Sequence, residues 1–418
     1  MDIAVLVYIL LIIASAKILG EVVTRFNQPQ IVGELLAGIV LGPFAIGAII
    51  PQLQGMYGDE IVKGLADLGI LFLMLIVGLE FSPRSLLKSS TSSMAISAGG
   101  MIIPMLLGVL VGIAFGLTGP AMIFLALALS VTALPVTIRV LKDMEVINTC
   151  TARKIVMSAI FTDISLLFAL ALVLREGGLS GTQLMENLFN LAIGYVLFFT
   201  IAILVGRYLI PHLFKILKWM RSGEAAFGIA VAIAIAFAVF ADMVKLPEFI
   251  GAFAAGMMMR EAGTTLKVWH KVEGILSGIT MEFLAPIFFV LIGFSVDFGA
   301  VFLAGPSVLA LFGSVVLVAI AGKIIGTYLP ARATGLSKKE SMAIASMMMS
   351  KGAMELVFAK LALEQGIIDQ ALFSVLVLMA FISTFIAPIM FRHYFNKACS
   401  AGEINEDKNA TPMDAVDI

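Results

Sequence analysis

The stretch NQPQIVGELLAGIVLGP, residues 27–43, decides the fold, because the chain repeats it near its middle as VKLPEFIGAFAAGMMMR, residues 244–260. Both segments carry the spacing Pro-x3-Gly-x3-Ala-Gly, which is more specific than the general likeness of apolar helices rich in glycine and alanine. A second pair, LFLMLIVGLEF at 71–81 and PIFFVLIGFSV at 286–296, matches at nearly the same offset. We therefore predict two structural repeats within one chain.

The composition indicates a membrane protein with many spans. The chain has 418 residues, of which 61% are hydrophobic and 13% charged, and its mean hydropathy is +1.07. A soluble domain is usually about 45–50% apolar and about 25% charged. The net charge of −1 argues against a nucleic-acid partner. The first apolar run lacks a basic leader and a cleavage site, so we expect it to remain as a helix.

The apolar stretches predict an all-α polytopic protein with thirteen transmembrane helices, because stretches of about 20 residues, long enough to cross a hydrocarbon core of about 30 Å, recur along the chain. The ninth predicted span is shorter than the others. The predicted spans are 3–23, 30–50, 62–81, 92–117, 120–142, 151–175, 185–217, 223–243, 247–260, 271–298, 305–331, 339–364 and 370–395.

One transmembrane domain, 1–395, is predicted to contain both repeats: the first is 1–175, the second is 223–395, and helix 185–217 links them. Matching helices lie seven spans apart, an odd number, so they cross the bilayer in opposite directions. Such inverted-topology repeats are typical of secondary transporters. Residues 396–418 are polar, and we predict a disordered cytoplasmic tail.

The basic residues predict the orientation in the membrane. Loops after odd-numbered spans, together with the tail, carry twenty Lys and Arg, whereas loops after even-numbered spans carry three. Positively charged loops stay on the cytoplasmic side. We therefore expect a multi-pass protein of the cell (inner) membrane with its N-terminus outside and its C-terminus in the cytoplasm.

Two predicted spans are interrupted near their centres. Span five, AMIFLALALSVTALPVTIRVL, contains Thr132 and Pro135, and proline kinks or unwinds a helix because it lacks an N–H. Its repeat mate, span twelve, contains Ser350, Lys351 and Gly352 at its centre. Backbone freed at that depth is tolerated only where it is buried or lines a polar cavity. Interruptions at corresponding positions of two repeats indicate a binding site near the midplane.

A single carboxylate, Asp163, lies in the middle of the otherwise apolar segment SAIFTDISLLFALAL, residues 158–172. At that depth a charge costs about 2.5–3.5 kcal/mol on insertion scales, so we expect it to face the protein interior. Such a group carries a proton or a metal cation but not both, which is the physical basis of exchange. The alternative is permanent pairing with a lysine. Thr162 beside it offers an oxygen ligand, although threonine in a membrane helix more often bonds its own backbone.

Three further ionisable residues within spans are candidates for a role at the site. Lys323, in the middle of span eleven, is the best candidate for the charge partner of Asp163. For Lys351 we expect instead that it neutralises the carboxyl-end dipole of the half-helix in its own span. Glu355 lies four residues after Lys351, the spacing of a helical ion pair. Four other acids are expected near interfaces or helix ends and receive no role: Glu34, Glu248, Glu282 and Asp297.

Taken together in their order and spacing, several motifs resemble the monovalent cation:proton antiporter-2 family. They are GELLAGIVLGP, LFLMLIVGLEF, SVTALPV, FTDISLL, GAFAAGMMM and PIFFVLIGFSVDF, and the likeness extends over about residues 3–395. The family contains bacterial sodium/proton antiporters and the membrane domain of Kef-type potassium/proton systems.

The resemblance implies a homodimer in which a mobile core domain moves like an elevator against a dimerisation domain. It also implies that two broken helices cross beside an essential aspartate. Carried over by position, Asp163 is the carrier of cation and proton, and Lys323 is the lysine that neutralises it. The implied cation-binding residues are Asp163, Thr162, Thr132 and Ser130, and Glu355 is a possible accessory acid. No cofactor is implied beyond Na⁺ or K⁺ and the proton.

The chain departs from the family pattern at two positions. Family members usually place Asp, Asn or Gln directly before the essential aspartate, where this chain has Thr162. The second broken helix often carries Arg-Gly-Glu, where this chain reads Lys351-Gly352-Ala353-Met354-Glu355, so that the acid is displaced by two residues.

The sequence thus predicts a secondary antiporter that exchanges Na⁺ or K⁺ for H⁺ by alternating access. Two other classes stay open: a passive cation channel with Asp163 as its selectivity charge, and a sodium-coupled symporter for an organic solute. An enzyme is not expected, because the three histidines, His212, His270 and His393, all lie near span ends.

Overall fold

The chain is α-helical throughout the part that the structure, a computed structural model, describes. The described residues are 3–26, 28–50, 54–79, 91–117, 119–147, 149–175, 198, 200–209, 212, 223–244, 246, 248–263 and 267–404. Within these residues no β-strand is found, and eight helical stretches are long and apolar enough to cross a membrane. The all-α polytopic class is therefore confirmed. The number thirteen stays a prediction, because most of the predicted linker helix 185–217 lies outside the described residues.

The helices of the first repeat are α1 Ile3–Arg25, α2 Gln30–Leu41, α3 Ile46–Ile49, α4 Gln54–Gly58, α5 Glu60–Leu79, α6 Thr91–Ala114, α7 Gly119–Ser130, α8 Leu134–Asp143 and α9 Cys150–Arg175. The predicted span 30–50 is thus divided into α2 and the short α3. The division follows from Gly42, whose backbone is extended, and from Pro43, which disfavours helix in the residue before it.

The helices of the second repeat are α10 Gly223–Met243, α11 Glu248–Gly263, α12 Lys267–Ile279, α13 Ala285–Phe294, α14 Gly299–Phe302, α15 Pro306–Leu317, α16 Lys323–Ala333, α17 Lys338–Met348, α18 Ala353–Glu364 and α19 Gln370–Ser400. One π-helical turn, Thr280–Leu284, joins α12 to α13, and another, Val318–Gly322, joins α15 to α16. Glu282 therefore lies in the middle of a continuous helix, which corrects its expected place near a helix end.

Glycines at repeat-related positions hold the two repeats together. A Cβ atom on Gly38 of α2 would lie 2.1 Å from the carbonyl oxygen of Val290 and 2.8 Å from the Cα atom of Gly293 on α13. In the same way, a Cβ atom on Gly78 of α5 would lie 3.1 Å from the Cα atom of Gly256 on α11. The backbones therefore touch, and each repeat supplies one helix to each crossing. This packing supports the inverted repeat that the sequence predicts.

The end of the chain is ordered further than the sequence predicts. Helix α19 continues to Ser400, and the chain is described to Ile404, so the boundary at 396 is wrong. The reason is burial, since Phe395 and Ile404 pack into the core. The Ser337 side chain and the Lys339 ammonium hold the pKa of the Glu403 carboxyl below its ordinary value, with Lys339 Nζ 3.3 Å from Glu403 Oε1. Residues 405–418 lie outside the described residues.

Candidate functional site

The first helix break lies between α7 and α8. Helix α7 ends at Ser130, residues 131–133 are non-helical, and α8 begins at Leu134. Pro135 therefore sits in the first turn of α8, where an amide hydrogen has no partner within the helix and its absence costs nothing. Proline starts the second half-helix here and does not kink a continuous one. Ser130 and Thr132 are both fully buried.

The second break lies between α17 and α18. Helix α17 ends at Met348, Ser350 and Lys351 are non-helical, and the backbone of Gly352 is extended before α18 begins. A Cβ atom on Gly352 would lie 2.5 Å from the Cβ atom of Ala133 in the first break. Glycine at this position therefore lets the two breaks approach each other.

Hydrogen bonds join the two breaks directly. The Ala133 amide donates to the Ser350 carbonyl at 2.9 Å, and the Thr132 hydroxyl donates to the Met348 carbonyl at 3.0 Å. The hydroxyl oxygens of Thr137 and Ser350 lie 3.3 Å apart. The half-helices consequently meet end against end, with the carbonyl ends of α7 and α17 brought to one place.

The Lys351 ammonium binds the carbonyl end of the other broken helix, α7, and not the carbonyl end of α17 in its own span. Its ammonium donates to the carbonyls of Ala128, at 2.6 Å, and Leu129, at 3.0 Å, in the last turn of α7. The expectation that it neutralises the half-helix of its own span is therefore wrong. The physical reason is the crossing, because an extended backbone at the second break carries the lysine stem across to the first repeat.

Lys323 reaches the same end of α7 from a third direction. It begins α16 directly after the π-helical turn, and its ammonium donates to the carbonyls of Gly100, at 2.9 Å, and Ser130. Both lysine side chains are fully buried. Two cations thus converge on one carbonyl end, which carries a partial negative charge from the helix dipole.

Glu355 pairs with Lys351, as the spacing predicts. The Lys351 Nζ atom lies 3.6 Å from Glu355 Oε2, and the side chain of Glu355 is 1% exposed. Within the described part of the chain, neither carboxylate oxygen has a hydrogen-bond partner. The two opposite charges therefore face each other in a buried part of the protein.

Asp163 lies in α9, which packs against α6 and α7, but its side chain lies outside the described part of the structure. Its neighbour Thr162 is described and fully buried. The Thr162 hydroxyl donates to the carbonyl of Ser158, at 3.0 Å, and lies 3.0 Å from the hydroxyl of Ser97 on α6. The hydroxyl of Thr162 therefore bonds its own backbone and a neighbouring helix.

Sequence reasoning missed an acidic residue, Asp67, which lines a cavity of about 370 Å³ at the end of the helix bundle where α5 begins and α18 ends. Lys63, Lys360 and Glu364 line the same cavity, and Lys360 Nζ lies 3.5 Å from Glu364 Oε1. A signal was present in the sequence, since a charge more than one turn inside a predicted span is out of place.

Paired broken helices that cross between inverted repeats, with buried ionisable groups at the crossing, define the class of secondary transporters. The family described as "Sodium/hydrogen exchanger, transmembrane" matches residues 9–397. The chain belongs to this family, and it is a multi-pass membrane protein.

Two relatives from Bacillus cereus are similar to this chain over nearly its whole length. The probable Na⁺/H⁺ antiporter GerT of Bacillus cereus is 31% identical over 93% of this chain and 98% of its own length. The Na⁺/H⁺-K⁺ antiporter GerN of the same organism is 30% identical over 93% of this chain and 95% of its own length. The structure of the sodium proton antiporter MjNhaP1 from Methanocaldococcus jannaschii at pH 8 has the same fold, with a TM-score of 0.69 at 18% identity, covering 94% of this chain and 97% of that one.

Proposed function

We propose that the protein exchanges a monovalent cation, Na⁺ or K⁺, for H⁺ across the membrane, and that Asp163 carries either ion. The observation that supports this most strongly is the convergence of two buried ammonium groups on the broken end of α7. Fixed positive charge at that place keeps an anionic carboxylate stable in the absence of a cation, as an exchanger requires between its two half-cycles.

Asp163 is the carrier in this proposal because it follows Thr162 in α9, and Thr162 contacts α6 at the depth of the break through Ser97. Lys323 also reaches α6, at Gly100, one turn further along the same helix. We therefore propose that the carboxylate of Asp163 and the ammonium of Lys323 belong to one polar layer. In this proposal Lys323 releases Asp163 when a cation or a proton arrives.

The oxygen atoms around the break supply further ligands. Ser130 and Thr132 offer hydroxyl oxygens that still accept after donating their protons to carbonyl groups. Hydroxyl and carbonyl oxygens suit hard monovalent cations. Glu355 is an accessory acid in this scheme: it balances Lys351, so that the net charge at the site depends on Asp163.

The exchange follows alternating access, in which the cavity beside Asp67 belongs to the outer face. The distribution of Lys and Arg supports an N-terminus outside, a C-terminus in the cytoplasm and residence in the cell (inner) membrane. We further propose that the working unit is a homodimer.

The test is exchange in proteoliposomes, followed as dequenching of a pH-sensitive dye after Na⁺, K⁺ or Li⁺ is added. We expect the wild type to exchange and Asp163→Asn to lose exchange. Asp242→Asn is the matched control, since Asp242 is an exposed acid at the end of α10. If Asp163→Asn exchanged as fast as the control, Asp163 would not be the carrier.

Proton and cation compete for one group in this mechanism, which predicts the pH dependence. Where the carrier is protonated at rest, lowering the pH by one unit raises the half-saturating cation concentration about tenfold. Cation flux without proton movement would indicate a channel. Uptake of an organic solute driven by the cation would indicate a symporter.

A further inference from the structure

A single threonine of α19 holds the backbone of the second break. The Lys351 amide donates to the hydroxyl oxygen of Thr384 at 3.2 Å, and the Thr384 hydroxyl donates to the Lys351 carbonyl at 2.6 Å. Both residues are buried, and Lys351 lies outside the helices that precede and follow it. One hydroxyl group therefore serves both hydrogen-bonding groups of the Lys351 backbone.

The depth of the second break makes this contact important. Backbone groups freed from a helix inside a membrane need partners from the protein, because lipid tails offer none. A hydroxyl group suits the task, since it both donates and accepts. Helix α19 supplies it from inside the bundle, because 72% of its most apolar window is buried, the largest share among the eight spans found in the described residues. Thr384 thus stabilises a non-helical residue at that depth.

The neighbouring hydroxyl of Ser383 makes the ordinary contact of a hydroxyl in a membrane helix. It donates to the Met379 carbonyl at 2.8 Å, four residues earlier in the same helix. Serine and threonine within helices often form this bond. The Thr384 hydroxyl has one proton and donates it to Lys351 instead. Of two adjacent buried hydroxyl groups, one therefore bonds its own helix and the other bonds the break.

Lys351 is consequently bound at both of its ends. Thr384 binds its backbone, and its ammonium donates to the carbonyls of Ala128 and Leu129 at the end of α7. Because the backbone carries the side chain, a shift of the Lys351 backbone moves the ammonium relative to α7. Thr384 therefore acts on the end of α7 through Lys351.

The inverted repeat gives Thr384 a counterpart in the first repeat. Thr384 lies fourteen residues after the first residue of α19, and Asp163 lies thirteen residues after the first residue of α9. Helix ends are defined only to within one or two residues, so the two positions correspond. The preceding residues, Ser383 and Thr162, correspond as well, because each donates to the carbonyl four residues earlier. Thr384 therefore has the place in the second repeat that Asp163 has in the first.

We propose that Thr384 is a positioning residue for ion exchange: its hydroxyl fixes the Lys351 backbone and so keeps the Lys351 ammonium on the carbonyl end of α7. This inference rests on the exchange of a monovalent cation for H⁺ proposed above. A fixed positive charge beside the carrier weakens the binding of a proton and of a metal cation alike, because both ions are positively charged. Thr384 thereby influences how fast a bound ion leaves.

The chemistry of the two equivalent places fits this division of roles. An ionised carboxylate only accepts hydrogen bonds, so at the place of Thr384 it would leave the Lys351 carbonyl without a donor. Threonine serves the amide and the carbonyl together and adds no charge. The same place therefore carries the ion in the first repeat and holds the backbone in the second.

The experiment compares exchange by wild type and Thr384→Val in proteoliposomes. The pH is set above the value at which the half-saturating cation concentration, KM, stops changing, so that protons no longer compete. Valine keeps the shape of the side chain and removes the hydroxyl. The freed Lys351 backbone shifts, its ammonium leaves α7, and the cation binds more tightly and leaves more slowly. We expect KM and the maximal rate both to fall about threefold or more.

This outcome differs from a loss of folded protein, which lowers the maximal rate and leaves KM unchanged. Thr384→Ser keeps the hydroxyl and should restore both quantities. Ser383→Ala is the matched control, since it removes the adjacent buried hydroxyl that bonds its own helix, and it should change neither. An unchanged KM in Thr384→Val, or no recovery in Thr384→Ser, would overturn the inference.

A second variant covers the case in which Thr384→Val does not fold. Thr384→Cys replaces the hydroxyl by a thiol, a weak donor and a weak acceptor. It should lower KM and the maximal rate together, by less than valine does. A KM equal to that of the wild type would contradict the proposal.

Thermal unfolding in detergent keeps this inference apart from the antiport proposal, because it does not depend on exchange. Thr384→Val should lower Tm by more than Ser383→Ala, and Thr384→Ser should recover most of the difference. A wild type that exchanges none of the added cations refutes the antiport proposal, while the order of the Tm values still tests the contact with Lys351. Exchange by the wild type with an unchanged KM in Thr384→Val refutes the positioning role alone.

Discussion

The two helix breaks occupy equivalent places in the two repeats, yet their carbonyl ends are satisfied by different chemistry. The end of α7 receives the ammonium groups of Lys323 and Lys351. The end of α17 receives the Thr132 hydroxyl, which donates to the Met348 carbonyl, and the following carbonyl of Ser350 receives an amide hydrogen. The end of α7 is therefore contacted by charged groups, and we call the first break the charged break. The end of α17 is contacted by neutral groups, and we call the second break the neutral break.

This difference shows that the inverted repeat fixes the backbone but not the electrostatics. The two symmetric breaks bring the carbonyl ends of α7 and α17 together, and among the described residues only the end of α7 is contacted by positively charged side chains. A carboxylate near the charged end is stabilised as an anion, whereas near the neutral end it would not be. The asymmetry supports the proposal that the ion is carried in the region where α6, α7 and α9 meet.

The largest expected effect comes from Lys351→Met, which removes a cation from the charged break and leaves Glu355 buried without a partner. We expect a loss of about 3–5 kcal/mol in the free energy of unfolding. Thermal unfolding in detergent measures it. Lys351→Met/Glu355→Met should recover most of the loss, because the two charges are then removed together. A double variant no more stable than the single one would show that the pair is not the cause.

The two lysines at the charged break are distinguished by coupling to Asp163. Stabilities of Asp163→Asn, Lys323→Met and the double variant should be non-additive by about 0.5–3 kcal/mol, as for residues in one network. The same cycle with Lys351→Met should give a smaller coupling, because Lys351 is balanced by Glu355. If the coupling energy between Asp163 and Lys351 were larger than that between Asp163 and Lys323, Lys351 would be the charge partner of Asp163.

At the neutral break, Thr132→Val removes the hydroxyl that meets the Met348 carbonyl. Hydrogen bonds between membrane helices average about 0.6 kcal/mol and reach about 1.7 kcal/mol, so we expect a stability loss in that range. Thr132→Ser keeps the hydroxyl and serves as the control. A loss as large as that of Lys351→Met would remove the distinction between the breaks.

The smallest effect is expected for Ser350→Ala. Its hydroxyl lies 3.3 Å from that of Thr137, which already donates to the Ala133 carbonyl at 2.7 Å. We expect a loss below about 0.6 kcal/mol, measured by the same thermal unfolding. A larger loss than for Thr132→Val would place the main contact between the breaks at Ser350.

The positions of both breaks could be predicted because the signals are local. Pro135 and the Ser350-Lys351-Gly352 run interrupt apolar helices, and such interruptions depend on a few adjacent residues. The target of Lys351 could not be predicted, because its ammonium contacts a carbonyl 223 positions away in the chain. The crossing of the breaks, which the sequence does not encode locally, brings those groups together.

Glu282 illustrates a different difficulty. Its position is readable once the helix is known to run from Lys267 to Phe294, but its outward direction depends on the π-helical turn. One added residue per turn rotates every following side chain around the helix. Periodicity arguments assume a constant turn and therefore fail beyond such a point.

The glycine contacts between the repeats also constrain how the protein is made. Gly38 emerges from the ribosome long before Gly293, its packing partner. At about 5–20 residues per second, synthesis of the intervening chain takes roughly 10–50 s. During that interval α2 and α5 are inserted without the helices that cover their bare backbone. The newly made first repeat must therefore be kept from wrong partners until the second repeat arrives.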